Sequence, residues 1–291
     1  MGRDAFTASS IVRDIFNRAN DVLRCDLTGV MFEGPEEELR ATQNAQPAIF
    51  VHSYALYQLL QAPRPAMAAG HSLGEYTALT VANALTFDDA LHLVQIRAEA
   101  MRDAGVEAAG TMAAIIGMEE EILERLCAEV TDRVGIVVPA NFNSPGQIVV
   151  SGTPDGVLEL MKRAKEEGAR MAKQLNVSGA FHSPLMEPAR QKLAEALGRA
   201  SFRDAEFPVY ANVSGAPVRA AEEIRSLLLQ QLTAPVQWTG TIQRMAADGA
   251  TEFIEVGPGN VLQGLSKRIA PTVPTAGVAG LEQVEAFGAR G

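Results

Sequence analysis

The chain has 291 residues, 47% apolar and 21% charged, enough for one large domain, or a large domain with an insert, around a substantial core. A formal net charge of −10 argues against a surface built for nucleic-acid phosphates, and it leaves an acidic partner only a local basic patch to dock on. Cys25 and Cys127 form neither a disulfide framework nor a CxxC pair, the four histidines show no zinc spacing, and neither a signal peptide nor a membrane-spanning apolar run is present, so a cytoplasmic protein is expected.

Apolar residues recur at helical spacing in "DIFNRANDVL" and "QPAIFVHSYALYQLL". The first helix is expected to end near Gly29, the second before the prolines of "APRP". "AMAAGHS" reads as a short buried strand entering a turn, and "GEYTALTVANAL" as the helix that leaves it. "TFDDALHLVQIRAEAMRDA" is a helix with Thr86 as its N-cap. From 110 to 176 the pattern changes. "TMAAIIGM", "GIVVPANFN", "QIVVSGT" and "ARMAKQLNV" read as strands, "EEEILERLCAEV" and "PDGVLELMKRAKEEG" as helices. The order βαββαβ is that of a ferredoxin-like unit, here a small domain over 107–178 set into a larger α/β domain over 1–106 and 179–291. Asp155 is expected to cap the second of these helices. Beyond it, helices "SPLMEPARQKLAEALGRA", "AAEEIRSLLLQQL" and "WTGTIQRMAADG" alternate with strands "FPVYANV" and "EFIEV", and "GPGNVLQGLSKRI" turns into a further helix. The tail after Ile269 is weakly patterned.

The stretch "AGHSLGEY" carries the chemistry. In a G-x-S-x-G between strand and helix, Gly70 and Gly74 permit a sharp turn that lifts the Ser72 hydroxyl above the sheet. The N–H of Leu73 then faces a developing oxyanion at a helix N-terminus. The alternative is a plain strand–helix turn. A serine nucleophile needs a base. His71 is adjacent but points away on such an elbow, so it lines the pocket. His52 and His92 sit in helical patterns and read as ordinary half-buried or surface histidines. His182, in the loop "SGAFHSP", is the candidate base. No acidic triad member stands between Ser72 and His182, which leaves a backbone carbonyl to orient the imidazole. Arg97 falls on an apolar stripe with Ala90, Val94 and Met101. Two readings stay open for it, a guanidinium snorkelling or salt-bridged at the helix edge, and a bidentate clamp for a substrate carboxylate.

Taken together, "TQNAQPA", "AGHSLGEYTAL", "QIRAEAM", "ANFNSPGQIVVSG", "GAFHSPLM", "APVQW" and "EFIEVGPGNVLQGL" resemble malonyl-CoA:acyl-carrier-protein transacylases and the related acyltransferase domains of polyketide synthases. The resemblance runs in family order from about residue 40 to 269. It implies an α/β fold, a hydrolase-like parallel-sheet core with an inserted ferredoxin-like domain. It implies Ser72 as the malonylated nucleophile, His182 as general base and Arg97 as partner of the malonyl carboxylate. Phe181 matches the "AFH" of malonyl-selective members, Gln46 and Asn143 match polar residues near the acyl site, and Gln231 matches a residue whose carbonyl holds the histidine. The implied reaction moves malonyl from malonyl-CoA to the phosphopantetheine thiol of an acyl carrier protein, for fatty-acid or polyketide synthesis, in a monomer without metal or redox cofactor. Lys267 and Arg268 are candidates for carrier docking. Family members open with a strand and a "GQGSQ"-type loop that supplies an oxyanion N–H; Met1 stands just after it. Either the protein starts upstream or it lacks half of its oxyanion hole. Two rival readings are a serine hydrolase, including one that edits stalled acyl groups, and an inactive truncated homologue that only binds.

Overall fold

The computed structural model describes residues 1–60, 63–177 and 179–288. Helices α1 (Arg3–Ala8), α2 (Ser10–Leu23), α3 (Leu27–Glu33) and α4 (Glu36–Arg40) lead into α5 (Thr42–Leu60). α2 buries Val12, Phe16, Ala19 and Leu23, a single stripe at helical spacing. It stops at Leu23 and not near Gly29. Arg24 takes a left-handed φ of 53°, and Asp26 starts α3 by accepting from the Gly29 amide. α5 begins at Thr42, ahead of the expected Gln46, and carries Pro47 within its early turns, where few intrahelical bonds are lost.

Strand β1 (Ala68–Ala69) precedes α6 (Gly74–Val81) and α7 (Phe87–Glu107). Thr86 caps α7 as expected, accepting from the Asp89 amide. Next come β2 (Thr111–Ile116), α8 (Glu120–Arg133), β3 (Val137–Ser144), β4 (Gln147–Gly152), α9 (Pro154–Glu166) and β5 (Met171–Gln174). They form a fully antiparallel sheet in the order β3-β4-β2-β5, the ferredoxin-like arrangement. Strand alternation divides its two faces. Ala113, Ile115, Ile148 and Val150 pack under Leu123, Leu126, Val157 and Leu160 of the two helices. Met112 and Val149 join Ala140 on the other face, against Phe181. The cap of α9 is Thr153, which accepts from the Gly156 amide; Asp155 stands in the first turn instead.

A one-turn 3₁₀ helix (Pro184–Met186) leads into α10 (Glu187–Arg199), β6 (Val209–Tyr210), β7 (Pro217–Val218), α11 (Ala221–Gln231), α12 (Trp238–Ala247), β8 (Phe253–Val256), α13 (Val261–Ile269), β9 (Thr275–Val278) and α14 (Leu281–Gly288). β1 pairs parallel to β6, and β6 antiparallel to β7. The weakly patterned tail supplies β9, parallel to β8, and the closing helix α14. The helices around β1 and β6 share the main core, in which Phe50, Leu56, Tyr76, Leu79, Leu91 and Leu193 are buried. β3 is fastened to the segment before α12. The Phe142 amide donates to the Val236 carbonyl at 2.9 Å, the Val236 amide to the Ala140 carbonyl at 2.9 Å, and Thr239 Oγ1 to the Phe142 carbonyl at 3.0 Å. Among the described residues no helix is long and apolar enough to cross a membrane.

Candidate active site

Between β1 and α6 the chain reverses, and Ser72 sits at the reversal with a φ of 50°, a left-handed value seldom seen outside glycine. Gly70 makes that possible: a Cβ there would stand 1.9 Å from the Gly74 carbonyl carbon, so strand end and helix start touch backbone to backbone. Gly74 differs from expectation, because a Cβ on it would meet nothing within 4 Å. What the turn needs from Gly74 is its backbone position. Gly70→Ala should therefore cost about 1–3 kcal/mol by overpacking, read as a lower melting temperature. Gly74→Ala should leave the melt nearly unchanged, and equal losses in the two variants would contradict this account of the turn.

Ser72 Oγ lies 2.8 Å from His182 Nε2. The other ring nitrogen, Nδ1, donates to the Gln231 carbonyl at 2.8 Å. That bond fixes the tautomer and leaves the Nε2 lone pair facing the serine hydroxyl. Gln231 ends α11, so its carbonyl is one of the acceptors a helix C-terminus leaves unused, at the negative end of the helix dipole. A carbonyl thus stands where a triad would place an acid. His182 is 4% exposed, and burial first, then the nearby Arg97 charge, lowers its pKa to about 3. The imidazole is neutral, ready to accept a proton, throughout the neutral range.

Arg97 does not snorkel. It is 1% exposed, and its guanidinium donates to Gln46 Oε1, to Ser72 Oγ at 2.8 Å and to Gln231 Oε1 at 3.1 Å, with Tyr76 under it at 5.8 Å. Among the described residues it forms no ion pair with a carboxylate. Helix α7 therefore delivers a buried cation, bonded to neutral groups, onto the serine oxygen.

The remaining expected residues take different places. Leu73 is the N-cap of α6, directly after the serine. Gln46 touches Arg97, not Ser72. His71 does line the wall: it lies against Trp238, ring centroids 5.4 Å apart, and pairs through Nε2 with Asn143 Oδ1 on β3 at 2.8 Å. Burial pushes its pKa down. Phe181 packs between the main core and the Met112/Ala140/Val149 cluster, next to His182. His52 is buried against the Ala279 carbonyl and His92 is exposed, both outside the site.

Two residues escaped the sequence reading. Asn212, after β6, accepts from the Ser72 amide at 2.6 Å and donates through Nδ2 to the Gly70 carbonyl at 2.7 Å, clasping the turn. Glu75, on α6, accepts through Oε2 from the Asn212 amide at 3.1 Å and from Gln231 Nε2 at 2.8 Å. The Asn212 signal in the sequence was one polar residue inside "VYANV". Glu75 looked like an ordinary first-turn acid at a helix N-terminus.

A serine raised on a strained strand-to-helix turn, bonded to a neutral, tautomer-fixed imidazole at the mouth of a helix, is equipped for covalent acyl transfer through its hydroxyl. The chain belongs to the acyl transferase domain family, whose model matches residues 1–285. It is 42% identical to the malonyl CoA-acyl carrier protein transacylase of Bacillus subtilis (strain 168), over 98% of this chain and 90% of that one. It is 41% identical to the enzyme of the same name from Escherichia coli (strain K12), over 96% and 93%. Its fold matches, with a TM-score of 0.95 at 40% identity over 99% of this chain and 94% of the other, a malonyl-transacylase solved in complex with its type II PKS acyl-carrier protein. The fold is thus α/β, with a hydrolase-like core and a ferredoxin-like insert.

Proposed function

We propose that this chain moves a malonyl group from malonyl-CoA to the phosphopantetheine thiol of an acyl carrier protein, through a malonyl ester on Ser72. The observation that carries the reading is the buried Arg97 guanidinium resting on Ser72 Oγ without a carboxylate bonded to it. A plain serine hydrolase gains nothing from a desolvated cation bonded only to neutral groups there, whereas an acyl group ending in a carboxylate can take that guanidinium through a two-pronged bond.

In this reading His182 takes the Ser72 proton as Oγ attacks the thioester carbonyl, the Leu73 N–H receives charge on the carbonyl oxygen, and the thiolate of coenzyme A leaves with the proton that His182 returns. The carrier thiol then attacks the ester, His182 removing its proton and restoring it to Ser72. Neither half needs a metal or redox group. Residues 1–106 and 179–291 form the catalytic domain, and 107–178 close the pocket from the β3 side, through Asn143 and the Phe181 contact. Lys267 and Arg268, exposed at the end of α13, are the basic pair offered to an acidic carrier; Arg268 also bonds Gln147 of β4. The protein acts as a monomer. Supplying malonyl-CoA and holo carrier protein together tests the reading. Malonyl-carrier should form faster than free malonate, and faster release of malonate would favour a hydrolase.

A further inference from the structure

We propose that Glu75 is a positioning residue of this site, its carboxylate holding the side chains that set the geometry of Ser72, His182 and Arg97. The inference rests on Ser72 and His182 acting as nucleophile and base, and adds a control on them.

The geometry converges on one oxygen. Glu75 is 2% exposed, and its Oε2 receives both the Gln231 amide side chain and the Asn212 backbone N–H. Gln231 Nε2 spends its second hydrogen on the Ser72 carbonyl at 3.0 Å. Both Nε2 hydrogens are then committed, so Oε1 is the end left to face Arg97, at 3.1 Å. The backbone of the same residue carries the carbonyl that holds His182. Asn212, fixed at its own N–H, clasps the Gly70 carbonyl and the Ser72 amide. Release Glu75, and Gln231 is free to flip while Asn212 loses its anchor. Every reacting group then loses one support.

Charge works in the same direction. The charged and titratable groups that act on Glu75 are Arg97 from α7 and Tyr76 on its own helix, and Tyr76 is itself pushed well above its usual value by burial. α11 and the segment after β6 present amides to it. Ionised Glu75 is thus the buried counter-charge of Arg97. Protonated, it keeps Oε2 only as a neutral acceptor, and bonds to a neutral acceptor are roughly half as strong as those to a carboxylate. Burial, outweighing the two amide bonds and Arg97, raises its pKa to about 7, while His182 at about 3 stays neutral over the same range. A loss of nucleophilicity on going from pH 8 to 6 then belongs to Glu75.

The test uses a fluorophosphonate. Ser72 Oγ bonds to phosphorus, fluoride leaves and His182 takes the serine proton, with no malonyl chemistry involved. Labelling of Ser72, followed by mass spectrometry from pH 5.5 to 9, should rise about tenfold through a midpoint near 7 in the unmodified protein. Glu75→Gln keeps the shape and loses the titration, so its rate should be flat across that range and below the unmodified plateau. Glu75→Asp keeps the charge but draws the carboxylate back by one methylene; it should label slowly at every pH and retain the rise. A Glu75→Gln rise identical to the unmodified one, or a Glu75→Asp rate equal to it, overturns the proposal. Melting curves add an independent reading. A carboxyl with a raised folded pKa gives its full stability below its unfolded value of 4.5 and loses it as pH climbs through about 7. Glu75→Gln should therefore gain melting temperature relative to the unmodified protein as pH goes from 5 to 8. Failure of the unmodified protein to label at Ser72 would overturn the nucleophile itself, and this proposal with it; failure of malonyl transfer alone, with labelling intact, would touch only the substrate.

Discussion

Ser72→Ala should abolish malonyl transfer, by about four to six orders of magnitude if it follows other serine–histidine sites. The structure gives the reason in two distances. Ser72 Oγ is 2.8 Å from the His182 nitrogen that would take its proton and 2.8 Å from the Arg97 nitrogen that donates to it. Both contacts meet on the one oxygen that the substitution removes. His182→Ala should cost nearly as much, and the two changes together little more than either alone, because serine and imidazole act as one unit. Melting curves should show both variants folded, since neither side chain belongs to the apolar cores. Additive losses in the double variant would mean that the two residues act separately.

Arg97→Ala should turn the protein against malonyl and not against acetyl. A desolvated, charge-assisted pair is worth about 2–5 kcal/mol, so malonyl transfer should fall by about 30-fold to 5,000-fold at roughly 1.36 kcal/mol per decade. Acetyl transfer, with no carboxylate to hold, should be spared or rise. Arg97 also donates to Ser72 Oγ, Gln46 and Gln231, so its removal brings a change common to both acyl groups. The ratio of the two rates is therefore the quantity to read. An unchanged ratio would make Arg97 a structural cation, and the proposed substrate would lose its main support.

What could be read from the amino acids alone follows from how local each signal is. The Ser72 turn is encoded within five residues, and both flanks announce themselves. Thr86 and Asp89 cap α7 within one turn. The βαββαβ order of the insert is written in alternating strands beside amphipathic helices, and its strand order follows. Arg97 could be placed on a helix stripe, but not judged, because snorkelling and full burial share one spacing. Gln231 acts through a backbone carbonyl, which has no residue type, and only the family resemblance pointed to it. Glu75 and Asn212 are adjacent only after β1, α6 and β6 have come together, and 137 residues separate them. β9 was missed because "TAGV" gains its strand character from pairing with β8, not from its own alternation.

A chase experiment tests the central claim most directly. The protein is incubated with malonyl-CoA, freed of excess substrate, and mapped; one malonyl group should sit on the peptide containing "GHSLGEY". Holo acyl carrier protein is then added, and the label is followed by mass over time. The account predicts that the malonyl group leaves Ser72 and appears on the carrier phosphopantetheine as fast as overall turnover. A label that stays on the protein, sits on another peptide, or leaves as free malonate before reaching the carrier would contradict it.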